Sequence, residues 1–229
     1  MFAPLDLTLV DRPGEPVATG WGVPLAWDGD PGDLPDTFAE ILPRALALHD
    51  GEGTATTLAV GGAVVHPAHK GTGLVEDLLR ALGEVASAHG LDRVVAPVRP
   101  THKDLYPLVP FVDYLDWVRD DGLPWDPWLR RHVRMGATIL RPTPHAQTMT
   151  GTISQWREWT GMEFPTTGDY VIPRGMSTLR VERGRDLGTS VEPNVGVRHR
   201  EGACATAPPR ATWDDPRPHS ATNPFHPRM

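Results

Sequence analysis

Residues 56–90 read TTLAVGGAVV, then HPAHKGTG, then LVEDLLRALGEVASAHG, and this succession decides the fold. The first piece is a short apolar run rich in valine, too brief for a buried helix, so it predicts an interior strand over 56–65. Its Gly61-Gly62 pair predicts a bulge or a close backbone approach. In the third piece Leu74, Leu78, Leu82 and Val85 share one face with Val75, Leu79 and Ala86, the 3.6-residue period of an amphipathic helix that stops at Gly90. Between them, Gly71 and Gly73 bracket Thr72 where the helix begins. Glycines there let the backbone approach an anion, and the free N–H groups of the first turn point at it, reinforced by the helix dipole. Lys70 adds a full positive charge beside this nest. The loop is not a Walker loop, since no G-x-x-x-x-G-K-[ST] is present, and Val75 and Glu76 stand where the third glycine of a dinucleotide fingerprint would follow.

Working outward, LDLTLV over 5–10, a turn at Asp11-Arg12-Pro13-Gly14 and PVATGWGVPLAW over 16–27 predict a β-hairpin. Leu34, Phe38, Ile41, Leu42, Ala45 and Leu48 at helical spacing predict a helix over 33–50, capped by Asp36 and ended by Gly51. Residues 91–98 return to strand composition, so strand, loop, helix and strand form a right-handed βαβ unit with one parallel strand pair. Residues 114–119 read as either a strand or a short helix. Asp126 with Pro127 starts a helix over 126–135 that Gly136 stops, and ATILR continues as a strand. Beyond it, 150–161 is helix-compatible and 177–197 reads as a final hairpin turning at 185–188. From Arg200 to Met229 there is no Leu, Ile or Val, so this tail is expected to be disordered.

The 229 residues are enough for a core without staples, and 23 glycines with 25 prolines predict long loops. A net charge of −7 without a basic run argues against nucleic acid as a partner. Cys204 is the only cysteine, which excludes an intramolecular disulfide and multi-cysteine metal or iron–sulfur sites. Asp6 and Asp11 stand where a signal peptide needs positive charge, and no eighteen apolar residues run together, so the expectation is a soluble cytoplasmic protein without membrane contact.

The loop and its helix resemble motif A of the GNAT superfamily of acyl-CoA-dependent N-acyltransferases, V-x-P-x-x-[RQ]-G-x-G-[ILV]-[GAS]-x-x-L-L. Val65, Pro67, Gly71, Gly73, Leu74, Leu78 and Leu79 fall in register. Lys70 replaces the usual Arg or Gln, keeping charge but not the planar fork, and Val75 replaces a small residue beside the pyrophosphate. The order of elements across 5–140 agrees as well. The resemblance implies an α/β fold with a GNAT-like mixed, mostly antiparallel sheet flanked by helices. It divides the chain into an acyl-CoA-binding domain over 1–150, a C-terminal extension packed on it over 151–199, and the tail over 200–229. Elements that usually open such domains are missing; either the start is truncated or the region after Thr150 substitutes for them.

By the same resemblance the co-substrate is acetyl-CoA or another acyl-CoA, held by Val65, Lys70, Gly71, Thr72, Gly73, Leu74 and Val75, with no metal. Backbone N–H groups near Val65 would polarise the thioester carbonyl. The family's second signature has two candidates, Tyr106 to Phe111 and His132 to Ala137; the second has the capped helix and the glycine, which makes 100–124 an insertion. His132 is then the expected acid for the departing sulfur, with Tyr106 the runner-up, and the acceptor is a small-molecule or protein amine. The competing expectation is a non-catalytic acyl-CoA-binding or interaction module.

Other residues read more plainly. His66, His69 and His102 lack an acidic or cysteine partner for a metal, so they read as loop histidines. Trp125, Trp128, Trp156 and Trp159 read as core ahead of an acyl pocket. Asp113, Asp116, Asp120 and Asp121 read as a solvated face, Glu192 is a buried acid if its hairpin folds inward, and no G-x-S-x-G elbow supports nucleophilic hydrolysis.

Overall fold

The computed structural model describes residues 2–51 and 53–199. In chain order the elements are β1 (Asp6–Val10), β2 (Pro16–Leu25), α1 (Ile41–His49), β3 (Thr57–Val65), α2 (Leu74–Ala88), β4 (Arg93–Val98) and α3 (Phe111–Leu115). They continue with α4 (Pro127–Arg134), β5 (Thr138–Gly151), α5 (Ile153–Thr160), β6 (Gly168–Val171), β7 (Thr178–Glu182) and β8 (Leu187–His199). One eight-stranded sheet runs β1-β2-β3-β4-β8-β7-β6, with β5 also paired to β8. Only β3 and β4 run parallel; the other pairings are antiparallel. The sheet is therefore mixed and mostly antiparallel. β8 keeps β5 along one edge, while its other edge serves β4 through Val195 to His199 and β7 through Leu187 to Ser190.

Side chains alternate across β3 and sort the core into two layers. Leu58 and Val60 join Leu74, Leu78, Leu82 and Ala86 of α2, with Leu129 of α4, on one face. Ala59 and Val95 meet Val23, Leu25, Ile41 and Ala45 on the other, where α1 lies. Gly20 admits α2 closely, because a Cβ there would stand 3.0 Å from the Leu78 side chain. A third cluster, of Trp156, Phe164, Leu179 and Val181, fills the far end of the sheet beneath α5. The predicted bulge is present: Trp21 pairs Gly62 while Gly22 pairs Val60, which leaves Gly61 extra. The Trp21 indole lies on this glycine pair, and a Cβ at Gly61 would clash with the ring.

The predicted helix over 33–50 is shorter than its spacing implied. Pro35 forces Leu34 into extended backbone, with φ −64° and ψ 146°, so two 3₁₀ turns precede a helix that starts only at Ile41. Asp36 caps nothing there; its carboxylate meets Arg141 instead. Residues 114–119 resolve as the end of the short helix α3 and the chain beyond it. The expectation of a disordered tail concerns residues 200–229, outside the described residues.

Lys103 ties the segment between β4 and α4 to the C-terminal hairpin region. Its ammonium is 1% exposed and donates to Tyr106 O and Met176 O, both at 2.7 Å. Desolvation lowers its pKa, and the two carbonyl oxygens take the place of the water it has lost. Lys103→Ala strands both carbonyls, so chemical denaturation should show a loss of about 2–4 kcal/mol. A loss below about 0.5 kcal/mol would mean that this tie contributes nothing.

Candidate functional site

β3 and β4 pair only as Thr57 with Arg93, Leu58 with Val94 and Ala59 with Val95. β3 then continues to Val65 and β4 to Val98, so the strands part and leave the facing edge of each without a partner strand. β3 leads directly to the glycine loop. Gly71 and Gly73 hold φ of +81° and +93°, values that an L side chain rarely adopts. Among the described residues the N–H groups of Gly71, Thr72, Gly73, Leu74 and Val75 donate to nothing, whereas those of Glu76 and Asp77 bond Gly73 O. Five consecutive free donors at the head of a 15-residue helix form an anion nest.

The first turn of α2 also carries Glu76 and Asp77, whose charges oppose an anion. Arg131 of α4 meets Glu76 at 3.0 Å and Arg80 meets Asp77 at 2.7 Å, which among the described residues leaves Lys70 as uncompensated positive charge beside the loop. Thr72 Oγ1 donates to His69 O at 2.6 Å and closes the turn. The side chains of Val65 and Val75 pack against the core layer under α2, and Leu74 is buried in it. Val75 thus offers the loop its N–H, with its isopropyl group turned to the core.

On the opposite face of the sheet, a cleft of about 420 Å³, open mouth included, has its floor at Ala59, Val95 and Ala96, where the strands part. Leu25, Leu34 and Ile41 wall it, and Arg141 and Thr143 of β5 close one side. β5 bulges at Leu140, since Ile139 pairs Val197 and Arg141 pairs Gly196; the bulge sets Arg141 and Thr143 toward the cleft. Sequence reasoning missed this cleft. Arg141 carried no motif, and a bulge in a run such as ILRPT has no composition signal.

The structure separates the two expected acids. His132 is 1% exposed on α4, with Nδ1 3.0 Å from Nε2 of His199, its ring against Trp128, and Nε2 without a partner among the described residues. Burial first, then the neighbouring His199 and Arg131, push its pKa down to about 3, and burial pushes His199 down to about 4. His132 is therefore a neutral, enclosed imidazole at neutral pH. Tyr106 packs its ring against Trp117 and Tyr114, in a cluster whose Tyr114 hydroxyl donates to Asp126. Asp126 also caps α4 by accepting from Trp128 N and Leu129 N. Glu192 is largely buried but spent in a bidentate pair with Arg99, whose pKa the bond to Glu192 raises. Among the described residues no group of three or more His, Cys, Asp or Glu is placed to hold a metal, and no helix is long and apolar enough to cross a membrane. None of the four tryptophans lines the cleft.

No family model matches the chain. It is 29% identical over 160 residues to the arginine N-acetyltransferase avaD of Aspergillus versicolor, a match covering 62% of this chain and 55% of that protein, so the chain spans little more than half of the relative's length. Its fold is similar to the loading GNATL domain of CurA from Lyngbya majuscula, with a TM-score of 0.55 and 15% identity over 86% of this chain and 76% of that one. It is also similar to the GphF GNAT-like decarboxylase solved with isobutyryl-CoA, with a TM-score of 0.50 and 20% identity over 85% and 77%. In fold the chain is GNAT-like.

The histidine pair sets a pH dependence. Its folded pKa values lie below the ordinary 6.5, so under pH 6.5 the unfolded chain binds more protons and acid favours unfolding. At pH 5 each histidine should cost on the order of 2 kcal/mol relative to pH 7. Denaturant titrations at both values should show this loss, and the variant His132→Phe with His199→Phe should lose much of it. Equal pH dependence in both proteins would contradict the burial assigned to the pair.

Proposed function

We propose that this GNAT-like chain transfers an acyl group, acetyl or another short acyl, from acyl-CoA to an amine. The carrying observation is the continuity of one strand: β3 ends in five unpaired N–H groups and, a few residues earlier, parts from β4 above an apolar cleft. In this reading the CoA pyrophosphate sits on the N–H groups of Gly71 to Val75 beside Lys70. The pantetheine arm runs along the unpaired edge of β3, and the thioester reaches the parting of the strands. N–H groups between the bulge and Val65 polarise its carbonyl.

The chemistry then follows from protonation states. An alkylamine with pKa about 10 must lose its proton to water before its lone pair attacks the thioester carbon. As the C–N bond forms, the carbonyl π electrons move onto oxygen. The nitrogen then gives its second proton to water, the carbonyl re-forms, and the C–S bond breaks with its electron pair leaving on sulfur as thiolate. The acceptor enters from the cleft side, opposite the cofactor. The relative's substrate makes L-arginine the first acceptor to try, alongside other small-molecule and protein amines. The reading needs no metal and sets the reaction in the cytoplasm. The expected acids His132 and Tyr106 remain candidates for returning a proton to sulfur, His132 only through its neutral N–H.

One observation favours the second reading, a module that binds acyl-CoA without turnover. Both candidate acids are held in packed ring clusters rather than at the parting strands. Thiol release from acetyl-CoA in the presence of an amine panel separates the two readings. Turnover supports transfer, and tight CoA binding with no thiol release supports the module.

Gly73→Asp should abolish CoA binding, because it sets a carboxylate and a strained φ in the nest while the helix behind it stays intact. A folded variant of wild-type affinity would remove the loop from the site. Val75→Ala should lower stability by about 1 kcal/mol and leave CoA affinity unchanged, since the lost methyl groups face the core. Changed affinity in that variant would set Val75 beside the phosphates after all.

A further inference from the structure

We propose that the cleft behind the parting strands binds a carboxylate carried on a small apolar ligand, with Arg141 as its reader and Asp36 as an internal counter-ion that the ligand displaces. Among the described residues, Arg141 is the only charged one lining the cleft. Its guanidinium has five N–H donors. Nη1 donates to Asp36 Oδ1 at 2.8 Å and Nη2 to Leu34 O at 2.6 Å, while Nε is buried and donates to nothing among the described residues. A buried donor without an acceptor is costly, so the side chain is held one hydrogen-bond acceptor short. Thr143 beside it gives its hydroxyl proton to Asn194 O, and its neutral oxygen, although still able to accept, makes no hydrogen bond to Nε.

The existing partner is weakly placed. The Asp36 side chain is 75% exposed, against 24% for Arg141, and an ion pair held in water contributes little. A ligand carboxylate inside the cleft would instead meet the guanidinium between Leu25, Leu34 and Ile41, where less solvent screens the pair and a fork-to-fork geometry is available. Gly196, opposite Arg141 in the strand ladder, keeps this space open; a Cβ there would stand 3.5 Å from Leu34 Cδ1 and narrow the cleft. The ligand body is aliphatic, as the walls are.

The proposal rests on the acyl-transfer reading only for what the carboxylate belongs to. It is carried either by the amine acceptor, which is then an amino acid, or by the acyl group, which is then a dicarboxylic thioester. Binding is measured by titration calorimetry on the full chain with pairs that differ in the carboxylate: L-arginine and agmatine, L-leucine and isoamylamine, malonyl-CoA and acetyl-CoA. The amine pairs are run without CoA, so failure of the nucleotide loop, read separately by Gly73→Asp, does not affect them.

In at least one pair the carboxylate member should bind about tenfold or more tightly. Arg141→Gln should erase that preference, and Asp36→Asn should enlarge it by freeing the guanidinium. Preference in an amine pair assigns the carboxylate to the acceptor, and preference in the CoA pair assigns it to the acyl group. A merely structural Arg141–Asp36 latch predicts that both variants weaken binding together. That result, a preference that survives Arg141→Gln, or no preference in any pair, including no measurable binding, overturns the proposal. Asp36→Asn alters an exposed side chain, so its direction decides the matter even if Arg141→Gln fails to fold.

Discussion

Three residue pairs of parallel ladder constrain everything else. β3 and β4 hold together through Ala59 and Val95 and no further, although both strands continue. A sheet normally pays for such a parting with unsatisfied backbone groups. Here β2 still supports β3 on its outer edge as far as Val65, and β8 supports β4 through Val98, so each diverging strand keeps one full ladder. The gap is thus framed by rigid strands, and it is open to a ligand that can donate to and accept from bare backbone.

Charge at the head of α2 shows the same economy. The helix brings a positive dipole end and two carboxylates to one place. Arg131 reaches across from α4 to neutralise one, and Arg80 reaches back along the helix to neutralise the other. The Arg131 contact also fixes where α4 lies relative to the loop, so the cap at Asp126 and the buried pair of His132 and His199 bear indirectly on the nest. Burial of that pair means that α4 is held by neutral imidazoles, which is why acid should loosen the same helix that screens the loop.

Much of the half built around the glycine loop was legible because its signals are local. Period 3.6 over 74–90, β-branched composition over 56–65, and glycines at positive φ are properties of neighbouring residues, and each element lies where its pattern put it. The Asp126 cap and the Gly61 bulge were readable for the same reason. The cleft was not legible. It is assembled from residues far apart in the chain: Leu34 beside a proline-interrupted helix start, Ala59 and Val95 at the end of a ladder, and Arg141 after a bulge. Asp36 looked like a cap because its position relative to a helical run matched one, but Pro35 moved the helix start to Ile41 and left the carboxylate for Arg141. The motif makes His132 an expected acid, whereas its protonation is set first by burial and then by His199, 67 residues away.

The central claim is that one strand carries both the phosphate nest and the reacting thioester. Backbone amide chemical shifts recorded during a titration with CoA and then with acetyl-CoA test it most directly. The account predicts that CoA shifts the amides of Gly71 to Val75 together with those along the β4-facing edge of Val60 to Val65, and that the acetyl group adds changes at Ala59, Val95 and Ala96, beside the cleft floor. Shifts confined to other elements, or a loop that does not respond while CoA binds, would contradict it.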